Sequence, residues 1–216
     1  MAITNPVAQW INHHWEMSDK SINRDHVLRM LYDADYHGQA VEVGTFAAGF
    51  AERILQRTSI KKLICIDPYV SYDAYKDLMN SVDLEHVFFD AQQRLAPYHS
   101  RYEFMRQPSI EAAALYSDSS LDFVYIDGNH SYSYVLDDLN AWWPKVRLGG
   151  MIVGDDAYDN LDNPARNAEG DVAIIWDNTR PNDASMYGVT KAFVEFANNH
   201  QLDVVFYNSQ AIIVKL

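Results

Sequence analysis

The spacing of apolar residues changes character near residue 39. Before that point Val27, Leu28 and Leu31 recur at helical intervals, which predicts a helix opening at Asn23 and stopping near the glycine signal of His37-Gly38. Further upstream, Asn5 followed by Pro6 reads as the capped start of another helix. From residue 40 onward, short unbroken apolar runs take over, at 40–43, 63–66, 121–126 and 151–153, with a weaker one at 102–105. Such runs suit strands covered on both faces, as in a parallel sheet. Helical spacing returns between them: Ala48, Ala51, Ile54 and Leu55; a short helix with Ser109 as its cap; Val135, Leu139, Trp142 and Val146; and Val189, Phe193 and Phe196. The runs at 204–206 and 211–214, joined by Tyr207-Asn208-Ser209-Gln210, read as a closing hairpin.

Strand and helix alternating in this way build βα units. The expected fold class is α/β: a Rossmann-like, doubly wound, mostly parallel sheet into which the C-terminal hairpin puts an antiparallel strand. Residues 1–38 read as an N-terminal helical segment, a cap or lid, and 39–216 as one domain. Two stretches break the rhythm. Residues 69–100 are rich in Tyr, Asp and His; residues 157–186 are rich in Asn, Asp, Pro and Gly around an apolar patch at 172–176. Loops this long inside a compact domain are commonly functional, and the second is expected to act as a lid over an acceptor.

Composition narrows the classes. Of 216 residues, 48% are hydrophobic and 22% charged, which is the globular range. No run approaches the ~18 apolar residues of a membrane span, and the first residues do not read as a secretory signal. Seventeen Lys+Arg against 30 Asp+Glu give a net charge of −13, a field that repels phosphate backbones and anionic lipid. Neither nucleic acid nor membrane is therefore expected as a partner. The single cysteine, Cys65, excludes an internal disulfide and reads as a small buried hydrophobe; with a reducing compartment in view, the expected location is cytoplasmic. Assembly into homo-oligomers is left open.

In open α/β sheets ligands bind beyond the carboxyl ends of the strands. The residues there are Glu42 and Gly44, Asp67, 107–109, Asp127, and Asp155 with Asp156. Any one aspartate at a strand end is ordinary turn chemistry; the whole set at successive strand ends points to one crevice. The first loop, Glu42 to Gly49, carries Phe46 where a G-x-G-x-x-G fingerprint needs its middle glycine, which argues against a dinucleotide diphosphate and permits a nucleoside. Asp67 follows the second strand, where a carboxylate can accept both ribose hydroxyls. Asp127, Asp155 and Asp156 would repel one another unless their pKa values shift or a cation binds, and an all-oxygen set suits Mg²⁺, Mn²⁺ or Ca²⁺. Tyr125, Tyr132 and Tyr158 flank these motifs. His13 and His14 are adjacent and point about 100° apart on a helix, so capping, core-edge or substrate-contact roles outweigh a metal site. Of Trp142 and Trp143, one is expected on the sheet and one at the boundary.

Four pieces carry a family resemblance: 41–46, 65–68, 124–132 and 149–156. With them the chain resembles a class I S-adenosylmethionine-dependent methyltransferase, and within that group the macrocin-type, metal-dependent sugar O-methyltransferases. The resemblance implies that 39–216 is the S-adenosylmethionine-binding domain. It implies that Glu42, Gly44, Thr45 and Phe46 hold the methionine end, that Asp67 binds ribose, and that Ser109 lies beside adenine. It further implies that Asp127, which also faces the cofactor, joins Asp155 and Asp156 on Mg²⁺ or another divalent ion, and that His130 is a general base. The partner so implied is a small hydroxylated acceptor, a sugar or glycosylated compound being favoured, with turnover sensitive to EDTA. The alternatives are a nicotinamide-dependent oxidoreductase, which Phe46 disfavours, and a cofactor-binding domain without catalysis.

Overall fold

In the computed structural model, residues 7, 9, 10, 24–71, 82–157, 174–175, 188–207 and 209–216 are described. The strands are β1 (Gln39–Val43), β2 (Lys62–Ile66), β3 (Tyr102–Met105), β4 (Leu121–Ile126), β5 (Val146–Gly154), β6 (Ile174–Ile175), β7 (Val205–Tyr207) and β8 (Gln210–Val214). The helices are α1 (Asp25–Asp33), α2 (Gly49–Arg57), α3 (Leu84–Leu95), α4 (Ser109–Ala113), α5 (Tyr132–Trp142) and α6 (Val189–His200).

All strands join one sheet in the order β3-β2-β1-β4-β5-β8-β7-β6. Strands β1 to β5 pair in parallel, while β8 pairs antiparallel with both β5 and β7, and β6 antiparallel with β7. This is the expected Rossmann-like architecture. The unbroken apolar runs have a simple cause: alternate residues feed two separate cores. Ala40, Leu63, Cys65, Phe123 and Tyr125 pack under α1, α2 and α3, with Leu31, Ile54 and Leu95. Val41, Ile64, Val124 and Ile126 pack under α4, α5 and α6, with Trp142, Phe193 and Phe196. Each fully buried aliphatic or aromatic side chain of this kind contributes about 1.5–3 kcal/mol relative to exposure.

The structure departs from the sequence reading in several places. Helix α1 ends at Asp33, where Ala34 N–H bonds Met30 O and Asp35 turns left-handed, so the helix stops well before Gly38. Gly38 instead makes room: a Cβ there would lie 2.8 Å from Asp122 Oδ2, which accepts the N–H of Gly38 at 2.6 Å and of His37 at 3.1 Å. Within 69–100, residues 84–98 are helical rather than a loop. Asp83 caps α3 by accepting N–H bonds from Glu85 and His86, and Val87, Ala91 and Leu95 form its buried stripe. Val146 opens β5 rather than ending a helix, because Pro144 interrupts the helical ladder before it. Ser109 is the first residue of α4, with Pro108 in the cap position. Within 157–186 only Ala157 and β6 are described, the latter inside the expected apolar patch. The lid expectation, the Asn5-Pro6 cap, His13, His14 and Tyr158 lie outside the described residues. Among the described residues no helix is long and apolar enough to cross a membrane.

Candidate functional site

The chain runs outward from β1 to β3 and then returns to β4 beside β1. The neighbouring carboxyl ends of β1 and β4 are thus the switch point at which open α/β sheets bind ligands. Gly44 makes the junction there. Its φ is +85°, and a Cβ on it would sit 2.1 Å from the carbonyl oxygen of Asp127. The loops after β1 and β4 therefore touch at a point where only glycine fits. Phe46 and Ala48 also take left-handed angles, φ 45° and 58°. This curl turns the Phe46 N–H onto Asp67 Oδ2 at 3.0 Å, while Tyr69 N–H reaches Oδ1 at 2.8 Å and the Tyr69 hydroxyl donates to Phe46 O at 2.6 Å. Left-handed angles at non-glycine residues cost on the order of 1 kcal/mol each, and the Asp67 and Tyr69 bonds offset that cost.

A cavity of about 450 Å³ opens over these loops. Of the residues expected at a cofactor, Gly44, Phe46, Asp67, Ser109 and Asp127 line it, with Gly128, Asn129 and Asp138. Burial raises the Asp67 carboxyl, against the pull of the Tyr69 and Phe46 N–H groups and Arg106. Ser109 Oγ accepts from Trp142 Nε1 at 2.8 Å and bonds Asp138, whose burial raises its pKa to about 7.

Glu42 and Thr45 are buried and outside the cavity lining. Glu42 is 1% exposed and its Oε2 has no hydrogen-bond partner. Burial, reinforced by the Asp127 charge, pushes its pKa from 4.5 to about 8. The folded protein then holds this proton more tightly than the unfolded chain, so stability falls as pH rises from about 4.5 to about 8. Glu42→Gln should flatten that slope and stabilise the alkaline protein by roughly 2–4 kcal/mol. Urea denaturation at mildly acidic and mildly alkaline pH checks this; equal slopes in parent and variant would count against a protonated Glu42.

The acidic cluster forms where β4 and β5 end. Gly154 is the last paired residue of β5 and leaves space for the Phe193 ring, which a Cβ would meet at 2.3 Å. The strand ends there, and two residues on Asp156 turns left-handed at φ 55°. Asp155 is buried and Asp156 partly exposed. His130 Nε2 lies 3.4 Å from Asp127 Oδ1 and 3.8 Å from Asp156 Oδ2. Burial works against the His130 charge, but the Asp127 bond and the charges of Asp127, Asp156 and Asp155 outweigh it, so its pKa is raised. Burial raises Asp127 in turn, against the pull of His130 and Arg24.

The expected divalent ion does not fit this set as it stands. Arg24 Nη1 donates to Asp127 Oδ2 at 2.7 Å, and Nη2 pairs with Asp155 Oδ2. Gln210 Nε2 donates to Asp155 Oδ1 at 2.6 Å. Both Asp155 oxygens and one of Asp127 are thus committed to nitrogen donors. Among the described residues no group of three or more His, Cys, Asp or Glu side chains is arranged to hold a metal ion.

Three of these participants escaped the sequence reading. Arg24 meets Asp127 across 103 residues, and no local pattern marks it. Gln210 is a fully buried polar residue at the start of a strand. Asp138 did leave a signal: a carboxylate inside the buried stripe Val135, Asp138, Leu139, Trp142.

The comparisons with known proteins agree with this geometry. A family model described as a methyltransferase domain matches residues 41–157, more than half of the chain. An uncharacterised protein of Acanthamoeba polyphaga mimivirus is 30% identical over 119 residues, 55% of this chain and 51% of that protein, so the chain spans about half the length of this curated relative. Among solved structures, a protein of Corynebacterium glutamicum superposes with a TM-score of 0.58 at 17% identity, covering 98% of this chain and 97% of that one. An O-methyltransferase from Bacillus cereus, in complex with SAH, gives 0.58 at 14% identity, covering 97% and 89%. MycE methyltransferase from the mycinamycin biosynthetic pathway, in complex with Mg, SAH and mycinamycin VI, gives 0.51 at 15% identity, covering 88% of this chain and 48% of that one. At these identities the likeness is one of fold. The crevice at the β1–β4 switch point and the family match over 41–157 together make this chain a member of the methyltransferase domain family.

Proposed function

We propose that the protein transfers a methyl group from S-adenosylmethionine to a hydroxyl of a small molecule, the sugar part of a glycosylated compound being the favoured acceptor. The observation that carries this reading is the cavity at the switch point, with Asp67 and Asp127 on its wall and His130, outside the lining, 3.4 Å behind Asp127. The cavity's volume falls in the range of small-molecule sites, and its wall mixes apolar Phe46, Ile66, Pro68 and Ile110 with the carboxylates of Asp67 and Asp127. That chemistry suits a cationic nucleoside. The methyltransferase solved with SAH bound from Bacillus cereus adds support through its shared fold.

Asp67 would accept the ribose hydroxyls. Its two backbone bonds leave lone pairs on both oxygens, since a carboxylate offers about four acceptor positions. The loop from Gly44 to Phe46, with Asp127, would hold the amino-acid end, and Ser109 would lie near adenine. When bound, the cofactor supplies an electrophilic methyl on a sulfonium. His130, oriented by Asp127, withdraws the acceptor's hydroxyl proton as that oxygen bonds the methyl carbon and the carbon–sulfur electron pair leaves with sulfur. The proton ends on His130, where the carboxylates favour it.

Calorimetry with S-adenosylhomocysteine, and with NAD as the contrasting ligand, tests the cofactor; turnover on a library of hydroxylated compounds tests the acceptor. Micromolar or tighter S-adenosylhomocysteine binding is expected, about −8 kcal/mol. Asp67→Ala should weaken it by roughly 1–3 kcal/mol. Unchanged affinity in that variant would remove Asp67 from the ribose site, and binding of NAD alone would overturn the reading.

A further inference from the structure

We propose that Arg24 is the resident cation of the acidic cluster: its guanidinium occupies the position between Asp127 and Asp155 that a divalent ion would need, so the chain balances its own active-site charge. The contacts come from three directions. One edge of the guanidinium meets Asp127 Oδ2 at 2.7 Å and Asp155 Oδ2 beside it. Its Cζ lies over the Phe50 and Tyr125 rings, 5.6 and 5.8 Å from the two centroids, within cation–π range. Gln210 donates to the other oxygen of Asp155, while Asp155 Oδ2 meets Arg24 through an ion pair and accepts no hydrogen bond. Magnesium and manganese require several oxygen ligands in near-octahedral array, and both oxygens of Asp155 and one of Asp127 already face nitrogen groups.

The backbone that carries Arg24 is held in place, which distinguishes a resident charge from a passing one. Arg24 directly precedes α1, whose Val27, Leu28 and Leu31 are buried in the core. The next residue, Asp25, is paired by Arg53 and by Arg57 of α2, the latter at 2.8 Å. Arg24 is thus a positioning residue: it fixes one oxygen of Asp127 and leaves the other toward His130. The inference deepens the methyl-transfer reading, but its charge-balance part stands apart from that reading.

Manganese binding to the full chain, followed by electron paramagnetic resonance, tests it. The parent protein should hold no Mn²⁺ at the cluster up to millimolar concentration. Arg24→Ala should gain a site at least about tenfold tighter than the parent, a change of 1.4 kcal/mol, and adding Asp155→Asn should abolish it. Arg24→Lys, which keeps the charge, should behave like the parent. Micromolar Mn²⁺ binding by the parent that Asp155→Asn removes would overturn the proposal, as would a folded Arg24→Ala with no gain. Should Arg24→Ala not fold, the parent titration and Arg24→Lys still decide. Turnover of the parent should also survive EDTA. Absence of turnover on every acceptor would count against methyl transfer and leave the manganese result intact, whereas EDTA-sensitive turnover restored by Mg²⁺ would overturn the resident-cation proposal alone.

Discussion

His130→Ala is expected to lower kcat by roughly 10²–10⁴ while leaving the fold and cofactor affinity near those of the parent, because the substitution removes a positioned proton acceptor and little packing. The histidine is buried next to the cavity-lining Asn129, and its Nε2 is 3.4 Å from Asp127, which lines the cavity. A base must be neutral to accept a proton, and the carboxylates around His130 raise its pKa above 6.5. The parent rate should therefore climb with pH through a midpoint above that of free histidine. In Asp127→Asn the charge and bond that raise His130 are gone while burial still opposes the cation, so the midpoint should move down. A His130→Ala rate within a few-fold of the parent, or a midpoint unmoved in Asp127→Asn, would remove His130 from the proton transfer. The same shift has a stability consequence. A histidine raised in the folded state stabilises the protein below its unfolded pKa, and this contribution disappears as pH rises through the folded one.

Gly44→Ala is the second large effect. The new methyl would stand 2.1 Å from the Asp127 carbonyl oxygen and 2.6 Å from Gly128 Cα, with backbone on both sides and a φ of +85° that alanine resists. Neither loop can yield without dragging Asp127 and, through it, the β1–β4 junction, where Asp127 N–H bonds Val43 O at 2.8 Å. A loss of roughly 3–5 kcal/mol is expected, together with S-adenosylhomocysteine binding. Gly49→Ala is the matched control. That glycine opens α2 with nothing within 4 Å of a Cβ, so alanine should be neutral or stabilise by up to about 1 kcal/mol. Denaturation curves and calorimetry on the pair check both. Equal stability of the two variants would show that the loops do not meet as described.

Much of the architecture was legible because it rests on short-range rules. An apolar run covered on both faces reads as a parallel strand whatever surrounds it, and β1, β2 and β4 appear within a residue of where the runs lie. Strand ends converge at the switch point by topology, so Gly44, Asp67, Ser109 and Asp127 could be assigned to one crevice before any coordinates. Where the reading failed, a local signal met a competing contact. Gly38 looks like a helix cap, but its backbone serves the Asp122 carboxylate, 84 residues away. Ser109 looks like an N-cap, but its hydroxyl answers Trp142 and Asp138. Helix α3 was missed although Asp83 and the Val87, Ala91, Leu95 stripe were present, because the Tyr- and His-rich residues around them suggested a loop.

The sequence by itself determined the α/β class, the parallel core with its closing hairpin, and which acidic residues stand at strand ends. Periodicity and turn chemistry act between near neighbours, and these features need nothing more. Only the tertiary structure decided what balances the charge those residues create. The sequence placed three carboxylates together, and the chemistry of that set asks either for shifted pKa values or for a cation beside them. The cation present is Arg24, brought across 103 residues by the packing of α1 against the sheet, with Gln210 arriving from the hairpin on the other side. Coulombic and hydrogen-bond partners are selected by distance in space, and for pairs so far apart along the chain that distance is set only when the whole sheet has closed.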